Sequence, residues 1–468
     1  MKIAIIGSGI SGLVCARELN RFHDITVYEK AARLGGHTAS KEVEWQGDTQ
    51  TVDTGFIVFN DWTYPNFIRL MNEIEVESKP SVMSFSVNDP SRDFEYSGDN
   101  LNTLFAKRRH LISPSYWQML RDILRFNREL SRDLDLGVLA DDISLGKYLD
   151  QQGYSKQFCY DYIVPMASAI WSASYKQIQQ FPLRFFARFF KNHGLLSVND
   201  RPTWRVIKGG SSAYIEPLIK PFKQHIRLHQ RIDSVSKVVK DDGSQSIIIR
   251  KENQELDHFD RVIFACHSDE ALKLIDSCDS RVASALKSLP YAENSVIMHT
   301  DTSLLPKRRR AWAAWNYQLQ ADQQGRADKR LPLLTYNMNI LQDLTSDHTY
   351  CVSLNAEEQI NPNKIIGRYS YSHPQFDIEG IAAQQNWHTL DGIDHMHFCG
   401  AYWANGFHED GVVSALRVCH RLDSRCSPPI SNNSSSLSSS SADDLVSSAS
   451  QASDTARSES LADSTKAA

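Results

Sequence analysis

Lys2-Ile3-Ala4-Ile5-Ile6-Gly7-Ser8-Gly9-Ile10-Ser11-Gly12 opens the chain and decides the reading of its fold. The short apolar run fits a buried strand, and the glycines follow at once. A helical stretch is expected from Leu13 to Phe22, then a second strand over Ile25-Thr26-Val27-Tyr28 that ends at the acid Glu29. Strand, glycine turn, helix, strand and acid, in this order, are what a dinucleotide-binding βαβ unit requires. Gly7 permits the tight turn, Gly9 lets the backbone approach a pyrophosphate, and Gly12 lets the helix pack close to the sheet. Ser8, Ile10 and Ser11 complete the cradle. The helix start offers N–H groups and partial positive charge to phosphates. Glu29, about 20 residues beyond the glycines, suits ribose hydroxyls and repels a 2′-phosphate.

Lys30 comes next, and then Arg33-Leu34-Gly35-Gly36-His37-Thr38. A second glycine pair adds backbone N–H groups and a second close approach, which suits the long body of FAD. Gly7-Ser8-Gly9-Ile10-Ser11-Gly12, Glu29 and Arg33-Leu34-Gly35-Gly36 together resemble the flavin amine oxidase and phytoene desaturase superfamily. The resemblance implies that Arg33 lies near the FAD phosphates and Gly35-Gly36 near the pyrophosphate. It also implies that Asp53-Thr54-Gly55 forms the loop that later passes the flavin.

Size and composition bound the possibilities. The 468 residues suffice for two domains. A net charge of −5 argues against bulk nucleic-acid binding. No apolar stretch reaches the length of a membrane span. Met1 directly precedes the first strand, so no secretory signal is expected. Eight scattered cysteines show neither a CxxC pair nor zinc spacing, so no metal site is expected and the chain reads as a reduced, cytoplasmic protein. Residues 427-468, rich in Ser, Ala and Asp and without aromatics, read as a disordered tail.

Further segments resemble parts of the same superfamily. Trp204-Arg205-Val206-Ile207-Lys208-Gly209-Gly210 reads as a strand and glycine pair, followed by a helix through Leu218. Ile226 to Ile232 reads as a strand ending near the adenine at Ile232. Ser234 to Phe259 reads as a β-meander with a turn at Asp241-Asp242-Gly243. Asp260 to Cys266 is a buried strand returning to the dinucleotide sheet. His397 to Trp403 reads as the last strand, reaching Gly400, and Gly411-Val412 lies in a final helix facing the flavin. The resulting fold class is α/β: a three-layer, Rossmann-like FAD-binding domain with a parallel sheet and a β-meander, joined to an α+β substrate or cap domain, amine-oxidase-like. The FAD domain is expected from residues 1-76, 201-288 and 387-426, and the cap from 77-200 and 289-386. No second GxGxxG unit supports a separate NAD(P)H domain.

The substrate is read from departures. Amine oxidases of the superfamily carry a Lys in the strand after the cap; Leu289 to Ile297 runs here into Met298. Their final helix begins Ser-Gly-Tyr; Asn405-Gly406-Phe407 stands here. No Cys has the context used for covalent flavin, so noncovalent FAD is expected. Phe181 to Lys191 puts five phenylalanines on one helical face and Arg184, Arg188 and Lys191 on another. That helix either meets a membrane surface or an acyl tunnel, or is an ordinary core-facing helix. Arg308-Arg309-Arg310 either meets a phosphate or acidic head group or is a solvated loop. Tyr336 to Asn339 reads as a strand whose asparagines point to the pocket. Asn192 to Leu196, His299-Thr300-Asp301 and Trp312 to Tyr317 resemble a subgroup of predicted NAD/FAD-binding oxidoreductases associated with fatty acyl modification, which implies a lipid-type substrate. His373 and His408 are base candidates or satisfied structural histidines. The leading expectation is a desaturase-like oxidation by hydride transfer to flavin N5. A flavin amine oxidase, a redox-neutral flavin isomerase and a non-enzymatic flavin-binding protein are the alternatives.

Overall fold

Lys2–Ile6 forms a strand whose last four residues are buried, and it is the middle strand of the first sheet. The structure, a computed structural model, describes residues 1–140, 142–239, 243–320 and 330–430. Five parallel strands run in the order Ile226–Arg227, Asp24–Tyr28, Lys2–Ile6, Arg261–Phe264 and Met396–Phe398. Alternation decides the layers. Ile3, Ile5, Val27 and Ile263 pack against the helices Ile10–Leu19 and His408–Leu422. Ala4, Ile6, Val262 and Phe264 pack on the other side, against a three-stranded antiparallel meander. Its strands are Ile232–Val239, Gln245–Lys251 and Leu256–Phe259.

Residues 226 to 232 are not one strand. His229 has φ 54°, in the left-handed region, and the chain changes direction there. Ile226–Arg227 joins the parallel sheet, and Ile232 opens the meander. The first helix starts at Ile10 rather than Leu13, because Gly9 is already its N-cap. The expected turn residues Asp241 and Asp242, and the tail beyond Ile430, lie outside the described residues.

A second sheet has seven strands, in the order Ile365–Pro374, Tyr291–His299, Cys351–Leu354, Leu333–Asn337, Trp315–Gln318, Phe85–Asp89 and Phe94–Ser97. Trp315–Gln318 pairs with Phe85–Asp89 in parallel, whereas every other neighbouring pair is antiparallel. Strands far apart in sequence thus share one sheet, and Met1–Pro429 forms one compact unit. The strand expected over 336–339 ends at Asn337. There the side chain accepts from the Ile340 N–H and starts the short helix Met338–Leu341. Asn339 is likewise used internally, bonding Tyr350 N and His348 O.

The phenylalanine-rich helix is Leu183–Asn192. Phe181, Phe186, Phe189 and Phe190 are buried in the largest core, and Phe185 is partly buried against it. Trp171 packs against Phe181 and Phe189, with centroids 4.6 and 4.7 Å away. The apolar face therefore points inward and is not open to a membrane. The core-facing alternative is the one observed.

Candidate functional site

The two glycine segments meet. Gly35 N donates to Ser8 O at 2.9 Å, and Gly9 and Gly35 form an isolated parallel bridge. A methyl group built on Gly36 would sit 3.2 Å from Gly9 Cα. Gly7 has φ 106°, and a side chain there would strike Ala265 O at 2.7 Å. On Gly12 it would strike Gly7 O at 2.0 Å. Gly9 differs: a methyl built on it meets nothing within 4 Å. Gly9 also caps the helix Ile10–Leu19 without any side-chain hydrogen bond. An open space therefore faces a helix start, the arrangement that admits a phosphate. Glu29 closes the turn: Oε2 accepts from Ser8 N at 3.1 Å and Ser8 Oγ at 2.6 Å, and Oε1 from Ala31 N at 2.8 Å.

The final helix docks on the same place. Ser11 Oγ donates to Gly411 O at 2.9 Å across the helix pair. Gly400 N donates to Ser414 Oγ at 3.1 Å. His408 is the first residue of that helix. Its ring stacks on Phe56, and Nε2 lies 2.8 Å from Tyr214 Oη and 3.3 Å from Thr38 Oγ1. Burial pushes His408 down to about 3, so the imidazole is neutral. Asp410 accepts from Phe407 N at 2.9 Å, and burial together with neighbouring Glu409 pushes its carboxyl up to about 7 against that bond. Glu409 instead accepts from Asn66 N and Nδ2 and Phe67 N, holding the start of the helix Pro65–Glu73.

Beside the second glycine pair lies a ring cluster. His37 Nε2 is 3.1 Å from Ser372 O, and its ring is 5.3 Å from Tyr371, 5.7 Å from His373 and 5.9 Å from His267. His267 stacks on Tyr291 at 4.0 Å. Burial lowers all three histidines, His373 to about 4. Among the described residues no three His, Cys, Asp or Glu groups converge as metal ligands. Gly55 is pressed against this loop, since a side chain there would meet His37 O at 2.0 Å. Behind it, Asp53 accepts from Ser40 Oγ at 2.5 Å, Ser211 N at 2.9 Å and Gln342 Nε2 at 2.9 Å. Burial still raises Asp53 to about 6 against those bonds.

A family model described as flavin containing amine oxidoreductase matches residues 10–339, more than half of the chain. The chain belongs to this family. It is thereby a flavin-dependent oxidoreductase. A stretch of 100 residues, 21% of the chain, is 35% identical to 15-cis-phytoene desaturase of Synechococcus elongatus. The match spans 20% of that relative's length. The fold is similar to cyclohexylamine oxidase from Brevibacterium oxydans, with TM-score 0.63, 14% identity, and coverage of 90% of this chain and 99% of that one. It is similar also to the CLA-producing fatty acid isomerase from P. acnes, with TM-score 0.62, 14% identity, and coverage of 90% and 98%. These two likenesses concern the fold alone.

In this flavin oxidoreductase the residues expected around the cofactor fall into two groups. Gly7 to Gly12, Glu29, Gly35 to Thr38, Gly55, Gly400, Gly411 and Val412 surround the glycine cradle or the helix docked on it. Leu34 packs into the same core. Three others make protein contacts of their own. Lys30 is exposed and pairs with Glu270 at 2.5 Å. Arg33 turns its guanidinium onto its own loop, donating to Gly36 O at 2.8 Å and Thr38 O at 3.0 Å. Ile232 packs with Tyr28 and Phe259 under the meander. The weak catalytic candidates also separate. His408 and His373 reach the cradle region. Phe407 lies between the two main cores, its ring stacked 5.0 Å from Phe189. Met298 is fully buried in the cap-side core, paired with Val352 and Gly367. Tyr214, Tyr291 and Tyr371 carry no motif of their own in the sequence; Tyr214 and Tyr371 meet partners 194 and 317 residues away. Tyr214 has one local signal, the glycine pair Gly209-Gly210 just ahead of it.

Proposed function

We propose that the protein is an FAD-dependent, desaturase-like oxidoreductase that removes two hydrogens from an apolar substrate, a fatty acyl or isoprenoid chain. The observation that carries this reading is the apolar, aromatic packing at the start of the final helix. Phe407 stacks on Phe189, and Phe185 lies 5.4 Å from Phe376. Where an amine oxidase would use Tyr and Lys, this chain has Phe407 and Met298. The neutral His37, His373 and His408 add no positive charge beside that packing.

The residues present fit FAD, held without a covalent bond. The open face at Gly9 suits the pyrophosphate, Glu29 the adenosine ribose, and the Gly35-Gly36 pair a second close backbone approach. We assign the division into an FAD part (1-76, 201-288, 387-426) and a cap (77-200, 289-386) on the same grounds. Bound FAD supplies the acceptor for a hydride. The chain's own residues exclude water: partly exposed Phe407 stacks on buried Phe189, and the Tyr214–His408–Thr38 cluster fixes the helix start whose positive end favours negative charge. All eight cysteines are free, which fits the reducing cytoplasm we infer for the protein.

The test is anaerobic mixing of the yellow holoprotein with fatty acyl lipids and, separately, with primary amines, followed by product mass. Flavin bleaching by the lipid with a product two hydrogens lighter is expected. Bleaching by amines alone overturns the reading. A product of unchanged mass replaces it with isomerisation. Acid precipitation should release the flavin into the supernatant.

A further inference from the structure

The cap carries a second surface that the flavin chemistry does not use. Residues 101–128 hold six basic residues and one acidic residue in a chain whose total charge is −5; Lys107 is buried and paired with Asp93, and Arg108, Arg109, Arg121 and Arg128 are exposed. The lone acid, Asp122, is buried, with Oδ2 accepting from Ser155 N at 3.0 Å. The basic side chains do not stand alone. Leu101 is 75% exposed, Ile112 84%, Leu124 58%, Leu111 48% and Trp117 41%.

The fold gathers these side chains. The helix Pro114–Asp135 buries Tyr116, Met119, Phe126 and Leu130. Its opposite face carries Trp117, Arg121, Leu124 and Arg128, spaced four, three and four residues apart, so they form one stripe. Trp117 Nε1 donates to Leu111 O at 2.9 Å, and the Trp117 ring lies 5.4 Å from Phe105. The turn Arg108–Ile112 is thereby fixed beside the stripe, with Arg109, Leu111 and Ile112 exposed. The distant stretch Arg309–Ala311 packs against the short helix Leu101–Leu104 and adds exposed Arg309 and Arg310.

We propose that this face is a peripheral docking surface for a bilayer carrying anionic head groups. Arginines matched to head groups, beside a Trp and aliphatic side chains that project beyond them, fit an interface where charge attracts and apolar tips enter the acyl boundary. A nucleic acid would use the arginines but leave Leu101 and Ile112 without a partner. Among the described residues no helix is long and apolar enough to cross a membrane, so the contact is on the surface. Unlike the inward-facing phenylalanines of Leu183–Asn192, these side chains are already presented to solvent.

The experiment is co-sedimentation of the full chain with vesicles of phosphatidylcholine alone and of phosphatidylcholine with phosphatidylglycerol. Binding to the anionic vesicles only is expected, weakened about tenfold or more by the charge-reversal triple variant Arg109→Glu, Arg121→Glu and Arg128→Glu. The pair Leu111→Ser and Ile112→Ser should also weaken it by about tenfold. Quenching of tryptophan fluorescence by bromine-labelled lipid should fall in Trp117→Phe. All these positions are exposed, and retained flavin colour reports that each variant folds. No binding to anionic vesicles overturns the proposal. So does binding that the serine pair leaves unchanged, which marks a purely electrostatic surface of the kind a polyanion would use. Loss of a dimer in the serine pair, seen by light scattering, overturns it in favour of self-association. None of these readouts depends on which substrate the flavin oxidises.

Discussion

The imidazole of His408 lies flat on the ring of Phe56, with centroids 3.7 Å apart and planes 7° apart. The stack seals one face of the imidazole, while Nε2 faces the Tyr214 hydroxyl. A proton added to that ring would have to be carried without water. His110, His193, His299 and His373 share the condition, each lowered to about 4, chiefly by burial. In each case the folded value lies below the unfolded one, so the unfolded chain binds more protons as pH falls. The histidine contribution to stability is therefore complete above about pH 6.5 and declines steadily toward pH 4. Thermal unfolding across this range should show the decline. His408→Gln should flatten it by an amount on the order of a few kcal/mol between the two ends.

Asp410 slopes the other way. Its folded value, near 7, lies above that of an unfolded aspartate, so its contribution is present at low pH and lost as pH rises through 7. Asp410→Asn keeps an acceptor for Phe407 N and removes the ionisation. The loss runs from about pH 4 to pH 7, so the variant should melt higher than the parent at pH 8 and about equally near pH 3.5. The kcat profile should lose any limb centred near pH 7.

Glycine variants should separate folding from cofactor binding. Gly9→Ala adds a methyl that meets no protein atom, at φ −65° and ψ 177°, which alanine accepts. Its apoprotein should match the parent within about 0.5 kcal/mol in a denaturant melt, while flavin content after purification drops sharply. Gly12→Ala places a methyl 2.0 Å from Gly7 O and should fail to give soluble protein. Equal flavin content in Gly9→Ala and the parent would remove the cradle from the binding site.

Met298→Lys places an ammonium at a position with no exposure. It should cost about 3 kcal/mol or more at pH 7, because an unpaired charge enters an apolar core. The lysine's folded value falls below its unfolded one, so part of the loss should return between pH 8 and 10 in a thermal melt. A variant as stable as the parent at pH 7, turning over amines, would show that this strand borders the flavin as it does in an amine oxidase.

The nucleotide end of the fold is legible in the sequence because its requirements are local. Gly7, Gly9 and Gly12 are needed where a strand turns directly into a helix, and Glu29 must follow at one strand's remove. The β-branched strand Arg261–Phe264 and the meander show themselves through their own alternation. Features set by distant partners are not visible. Nothing near His229 signals that the strand breaks there; Ile226–Arg227 extends the parallel sheet while Ile232 pairs with Lys251. The phenylalanine face of Leu183–Asn192 has the periodicity of an interfacial helix, and only Trp171, Phe376 and Phe407 show that the core covers it. The Tyr214–His408 and Thr54–Tyr371 contacts, 194 and 317 residues apart, close loops far longer than any pattern window.

Ser11 reaches Gly411 across 400 residues, and the edge strand Met396–Phe398 completes a sheet begun at Lys2. On the ribosome, the amino-terminal βαβ unit emerges first, yet it waits for almost the entire described chain before its neighbouring helix arrives. Maturation is thus gated by translation of the carboxyl-terminal segment. A nascent chain stalled before residue 396 would display the glycine loops with one side unroofed, as a client for chaperones rather than a receptor for nucleotide.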